Sequence, residues 1–247
     1  MTASLIGSTR RIFDLALGQM LWARRATLLA LAAGAPIALA LVSRLTLSSG
    51  TAVVHINGRQ IDSETVFTNA ITLLYLRFIV PALGVFYGTS LIADEVEDKT
   101  ITYLFTRPIR RGAIVLGKYL AYIVCAISVV LPSAALVFMV MVPFHDMAPL
   151  FGSFARALGV LALGLCAYGA VFLWAGVWFR RPLIGGLLFV FGWEQLAAIL
   201  PGYVGRLTIS HYLQADTMSV AALLVITITA LWLAMRTIER REYLLER

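Results

Sequence analysis

Leu91–Lys118 reads LIADEVEDKTITYLFTRPIRRGAIVLGK. Four carboxylates, Asp94, Glu95, Glu97 and Asp98, crowd its start, and Arg107, Arg110 and Arg111 crowd its end. Apolar runs flank it at 68–93 and 119–142, each long enough to cross the roughly 30 Å of hydrocarbon in a bilayer. A charged stretch between two membrane-length runs is a polar connection between two spans. Acidic residues favour a helix start, and Pro108 cannot continue a helix ladder, so a short helix is expected from about Glu95 to Thr106. The basic cluster suits the anionic inner leaflet. Composition alone leaves a solvated, charge-balanced loop equally open.

Working outward, further apolar runs fall at 27–47, 154–178, 183–200 and 219–236, the fifth span in chain order being the shortest. Of the 247 residues 60% are hydrophobic and 13% charged, against about 45–50% and about 25% in an ordinary soluble domain. A soluble fold of this length would expose much of that apolar surface to water, so a soluble reading is excluded. The runs are too long and too uniformly apolar for barrel strands, and backbone groups in lipid must be satisfied within the segment. The expected fold is all-α: a polytopic membrane protein with six transmembrane helices in one domain over 27–247, preceded by a segment over 1–26. Little chain is left for a catalytic domain, and no enzyme activity is expected.

The formal charge of +7 would suit nucleic acid if it were spread over a soluble face, but the basic residues cluster at span ends. With the N-terminus in the cytoplasm, fifteen of the twenty Lys and Arg residues lie inside. Arg44, Arg59, Arg77, Arg156 and Arg206 lie outside or in the outer part of the bilayer. This distribution favours a cell (inner) membrane protein with both termini cytoplasmic. Arg24 and Arg25 before an apolar run that contains Ala38-Leu39-Ala40 also fit a signal peptide. The long preceding region ranks that reading below an uncleaved span. Ile12, Phe13, Ala16, Leu17, Met20 and Leu21 form one helical stripe there, opposite Arg11, Asp14, Gly18 and Arg25. Such a helix lies on the inner leaflet or packs on a partner.

The order of residues in the quoted stretch resembles the type-2 permeases of ATP-binding-cassette (ABC) exporters. Their pattern, E-x-E-x-G-T, L-L, P-[VIL]-[ST]-R and G-K, is matched at Glu95, Glu97, Thr100, Leu104, Pro108, Arg111, Gly117 and Lys118. Lys99 and Arg110 depart from it, standing where the family usually has Gly and often Ser. The layout of an N-terminal interfacial helix and six spans agrees as well. The resemblance implies that the segment is a coupling helix that docks on a separate ATPase subunit, with Glu95, Glu97, Thr100, Tyr103, Phe105, Arg107 and Pro108 as its contact residues. It further implies two such ATPase subunits per complex and a second permease copy, identical or similar. ATP and magnesium would be bound by the ATPases, and this chain would bind no cofactor.

Gly112–Tyr119, GAIVLGKY, satisfies the G-x-x-x-x-G-K of a phosphate-binding loop. Tyr119 stands where magnesium needs a Ser or Thr hydroxyl, and the segment runs on into a span. The nucleotide reading is rejected.

An ionisable group inside the bilayer costs about 2.5–3.5 kcal/mol on insertion scales and so marks a partner or a wet cavity. Counting about 1.5 Å per residue puts Arg77 and Glu194 both in the outer half, on spans two and five. If these spans are neighbours the two residues can pair and, with Trp193 and Gln195, line or close the outer part of a translocation path. Alternatively Arg77 snorkels to headgroups and Glu194 caps a re-entrant turn. Trp193, Glu194, Pro201, Gly202, Ser210, His211 and Tyr212 look like a subgroup of the same family. Pro36, Pro81 and Pro132 lie within spans and are expected to kink them. Gly84-x-x-x-Gly88 allows close helix approach, either in a dimer seam or within one bundle. Cys125 and Cys166 read as buried thiols. His55, His145 and His211 do not suggest a metal site.

Together these readings give the membrane subunit of an ATP-driven exporter of hydrophobic or amphipathic cargo. The rival is a stand-alone secondary transporter or channel, which predicts internal repeats that the sequence does not display.

Overall fold

A computed structural model describes residues 5–22, 26–48, 67–97, 111–145, 147–179, 181–199, 208–213 and 217–240. Among them every regular element is helical. These are α1 (Leu5–Trp22), α2 (Ala26–Ser48), α3 (67–97), α4 (Arg111–Met141), α5 (Met147–Trp178), α6 (182–199), a single 3-10 turn at Ser210–Leu213 and α7 (Thr217–Arg240). The expected all-α class follows from apolar runs whose backbone groups must pair internally.

Within the described residues, four stretches are long and apolar enough to cross a bilayer: Phe67–Ala93, Gly112–Met141, Met147–Trp178 and Ser219–Glu239. The first and fifth expected spans are also helical, but their apolar parts are shorter, Leu29–Leu45 and Pro182–Ala197. The chain is a multi-pass membrane protein.

The helices alternate in direction, which gives the bundle two ends. One carries α1, Glu97, Arg111 and Arg240, and is called here the charged end. The other, the far end, carries Ser48, Phe67 and Met141. The hub is α5, which packs against α3, α4, α6 and α7, while α4 packs against α1 and α2. Most of the apolar part of α5 is buried, whereas most of α7 faces outward. Exposed Leu31, Leu39 and Leu45 on α2 and Leu224, Val225 and Ile228 on α7 cover the perimeter. Lipid tails are as apolar as leucine, so nothing drives these side chains inward.

Close packing then falls to small residues. A methyl placed on Gly84 would lie 2.7 Å from the Cβ of Tyr168, and one on Gly88 would lie 2.9 Å from the Cβ of Phe172. The Gly84-x-x-x-Gly88 pair is therefore spent on the contact between α3 and α5 within one chain.

α3 is not a uniform helix. It is π-helical at Ala70–Ile79 and Gly84–Gly88, with a short α-helical stretch, Val80–Leu83, between them. Pro81 has no N–H and its ring crowds the preceding turn. The helix accommodates it with wider i→i+5 turns, as in the hydrogen bond from the Val80 N–H to the Tyr75 carbonyl. α6 has a similar stretch at Leu188–Trp193, just before Glu194.

One chain of hydrogen bonds runs through polar groups deep in the bundle. Tyr75 Oη lies 2.8 Å from Ser133 Oγ, and Ser133 in turn donates to the Ala33 carbonyl at 2.8 Å. Because the serine proton goes to Ala33, the tyrosine is the donor to Ser133. One hydroxyl thus links α2, α3 and α4.

Candidate functional site

Among the described residues, the buried Lys and Asp/Glu side chains are Lys118, at the charged end, and Glu194, nearer the middle of the bundle. At the charged end Lys118 is 6% exposed. It lies seven residues into α4, roughly 10 Å along the helix axis from Arg111. Its Nζ donates to the Leu91 carbonyl on α3 at 2.6 Å. A buried lysine in an apolar helix is costly without such a partner. The acceptor belongs to the helix that runs on through Glu97, so the bond joins the two helices that flank the charged segment.

The residue before it makes a second contact. A Cβ on Gly117 would lie 2.9 Å from the Thr9 carbonyl oxygen and 3.0 Å from the Cβ of Ile12. Only hydrogen fits there, and α1 therefore lies directly on α4, with Ile12 and Ala16 buried.

Glu194, 5% exposed, is the corresponding residue nearer the middle. Tyr168 Oη on α5 lies 2.6 and 2.8 Å from its two carboxyl oxygens. The backbone N–H groups of Ile209 and Ser210 also donate to it. Three parts of the chain meet at this carboxyl group: the hub helix, the end of the π-helical stretch of α6, and the 3-10 turn. Leu213 of that turn packs over Gly164, where an added Cβ would come within 3.1 Å of it.

The residues expected from sequence to form an outer path divide unevenly. α3 and α6 are neighbours, as the pairing idea required, and Phe78 packs on Phe191 with ring centroids 5.8 Å apart. Among the described residues, however, no ion pair joins Arg77 to Glu194. Arg77 is exposed, Trp193 is 40% exposed, and Gln195 is half-buried. Only Glu194 of the four is enclosed, and its side-chain partner Tyr168 was not singled out from the sequence. A tyrosine in the middle of a span, whose hydroxyl must find an acceptor in the bundle, was the available signal.

Of the expected docking residues, Glu95 and Glu97 lie in the last turns of α3. Thr100, Tyr103, Phe105, Arg107 and Pro108 lie outside the described residues, as do Pro201 and Gly202. Among the described residues no group of three His, Cys, Asp or Glu side chains is arranged to hold a metal ion.

A multi-pass helical bundle with a charged segment between its second and third apolar runs is the architecture of a membrane permease. The pattern of the ABC-2 family transporter proteins matches residues 19–200, most of the chain. The chain belongs to the ABC-2 transporter family. It is also similar to the probable ABC transporter permease protein NosY of Pseudomonas aeruginosa, 32% identical over 97 residues. That alignment takes in 38% of this chain and 35% of the relative, so the chain spans about a third of the relative's length.

Proposed function

We propose that this chain is the membrane subunit of an ATP-driven exporter, crossing the cell membrane six times with both termini in the cytoplasm. Two separate ATPase subunits bind ATP and magnesium and dock on the segment from Glu95 to Arg107. A second permease copy, identical or similar, completes the membrane domain. The cargo is hydrophobic or amphipathic, in keeping with short connections and an apolar interior. Glu194, its chain neighbours Trp193 and Gln195, and Arg77 on the adjacent α3 belong to the outer part of the path.

The observation that supports this reading is the position of the charged segment. It connects the ends of α3 and α4 in a chain that belongs to the ABC-2 family, and these are the two helices that Lys118 bonds together. A push on that segment would reach both helices as rigid bodies.

Co-purification tests the reading. The wild-type chain should retain an ABC ATPase, and a variant with residues 95–107 replaced by a Gly/Ser linker should lose it while keeping its helix content in lipid nanodiscs. If the wild-type chain retained no ATPase, the stand-alone transporter would become the better reading.

A further inference from the structure

The near-match to a phosphate loop, Gly112-Ala-Ile-Val-Leu-Gly117-Lys118, is followed by Tyr119 in place of a Ser or Thr hydroxyl, and each of its three pattern residues sits at a contact between helices. Lys118 Nζ is bonded to the Leu91 carbonyl of α3 at 2.6 Å. Gly117 is the point where α1 crosses, with no room for a side chain against Thr9 and Ile12. A Cβ on Gly112 would be in ordinary contact with α7, 3.7 Å from Met235 Sδ and 3.9 Å from Glu239 Oε1. Within two turns, then, the start of α4 meets three other helices at the charged end.

We propose that Gly117 and Lys118 form a mechanical joint that ties α1 and the end of α3 to the start of α4, with Lys118 as the positioning residue that keeps α3 and α4 in step. The joint itself is a property of this chain; that an ATPase drives it rests on the function proposed above. Its chemistry explains the residue types. Glycine gives the shortest distance between two helix axes, so α1 follows α4 without slack. An ammonium on a four-carbon stem spans from one helix to a backbone carbonyl of the next. It can do so at an inner position because the bond is charge-assisted and its stem is apolar. A carbonyl acceptor also makes the tie independent of the side chain at position 91.

Amide hydrogen exchange on the full chain in lipid nanodiscs tests the joint without any partner. Lys118→Met keeps the stem but removes the donor. It should speed exchange over 89–97 by at least about tenfold, the worth of one charge-assisted hydrogen bond to local opening. Lys118→Arg should restore protection. Gly117→Ala should instead speed exchange over 5–22 and leave 89–97 as in wild type, a split that a general loss of folding would not give. Unchanged exchange over 89–97 in Lys118→Met would overturn the proposal.

The complex with its ATPase provides the second arm. On trapping with ATP and vanadate, exchange over 5–22, 89–97 and 111–119 should change with one common rate in wild type, and 89–97 should fall out of step in Lys118→Met. Segments that stayed in step in that variant would also overturn the joint. If the wild-type chain recruits no ATPase, the exporter reading fails, while the nanodisc arm still decides whether the joint exists.

Discussion

Two levels of the bundle, the charged end and a site nearer its middle, solve the same problem in opposite ways. Each encloses one ionisable side chain in an apolar interior. At the charged end the lysine of α4 reaches a carbonyl of a long neighbouring helix. Nearer the middle the carboxyl group of Glu194 gathers a phenol and two amides, and the amides come from a four-residue turn. A cation needs only an acceptor, which every helix offers along its backbone. A carboxylate needs donors, which a helix exposes only at its N-terminus or on side chains. The lysine can therefore tie two continuous helices, whereas the glutamate must recruit a short turn and a tyrosine.

The largest test of that contrast is Glu194→Leu. It removes the acceptor and strands three donors, so unfolding in mixed micelles should show a loss of about 3 kcal/mol or more. A loss below that of Tyr168→Phe would mean that the turn is held by something else. Tyr168→Phe removes one donor and leaves the amides in place, and should cost about 1–2 kcal/mol by the same measurement. Between the two ends, Ser133→Ala breaks the link from Tyr75 to Ala33 and should cost only about 0.6 kcal/mol, the usual value for a polar contact between membrane helices. Smallest is Arg77→Ala, which should shift stability by no more than about 0.5 kcal/mol because the side chain is exposed. If Arg77→Ala matched Glu194→Leu instead, the two residues would be coupled after all. That coupling would be read from the double variant.

Much of the bundle was legible in the sequence because a bilayer sets a length that few soluble helices need. Helices occur at all six expected runs, and among the described residues four of them are long and apolar enough to cross a bilayer. The neighbourhood of α3 and α6, which a pairing of Arg77 with Glu194 would require, is found in the bundle. Which way each side chain points was not legible. Register was counted at the α-helical spacing, and α3 and α6 both have π-helical turns ahead of or around these residues. Each such turn rotates the face presented by everything beyond it. The use of Gly84 and Gly88 was likewise open in sequence, because a pair of glycines does not state which helix will cross them. Tyr168 and Phe172 answer that from within the chain. The G-K pair was recognised as part of a pattern, but its contacts with α1 and α3 needed coordinates, since Thr9 and Leu91 are distant from it in sequence.

The chain has only two lysines, Lys99 and Lys118. With Lys118 sealed between helices, an amine-reactive dye that labels a lysine of the folded chain does so at Lys99, in the stretch between α3 and α4. Lys99 is thus the lysine to test as a chemical handle beside the candidate docking surface, with the α-amine as the competing site, and a fluorophore placed there would follow subunit assembly in real time.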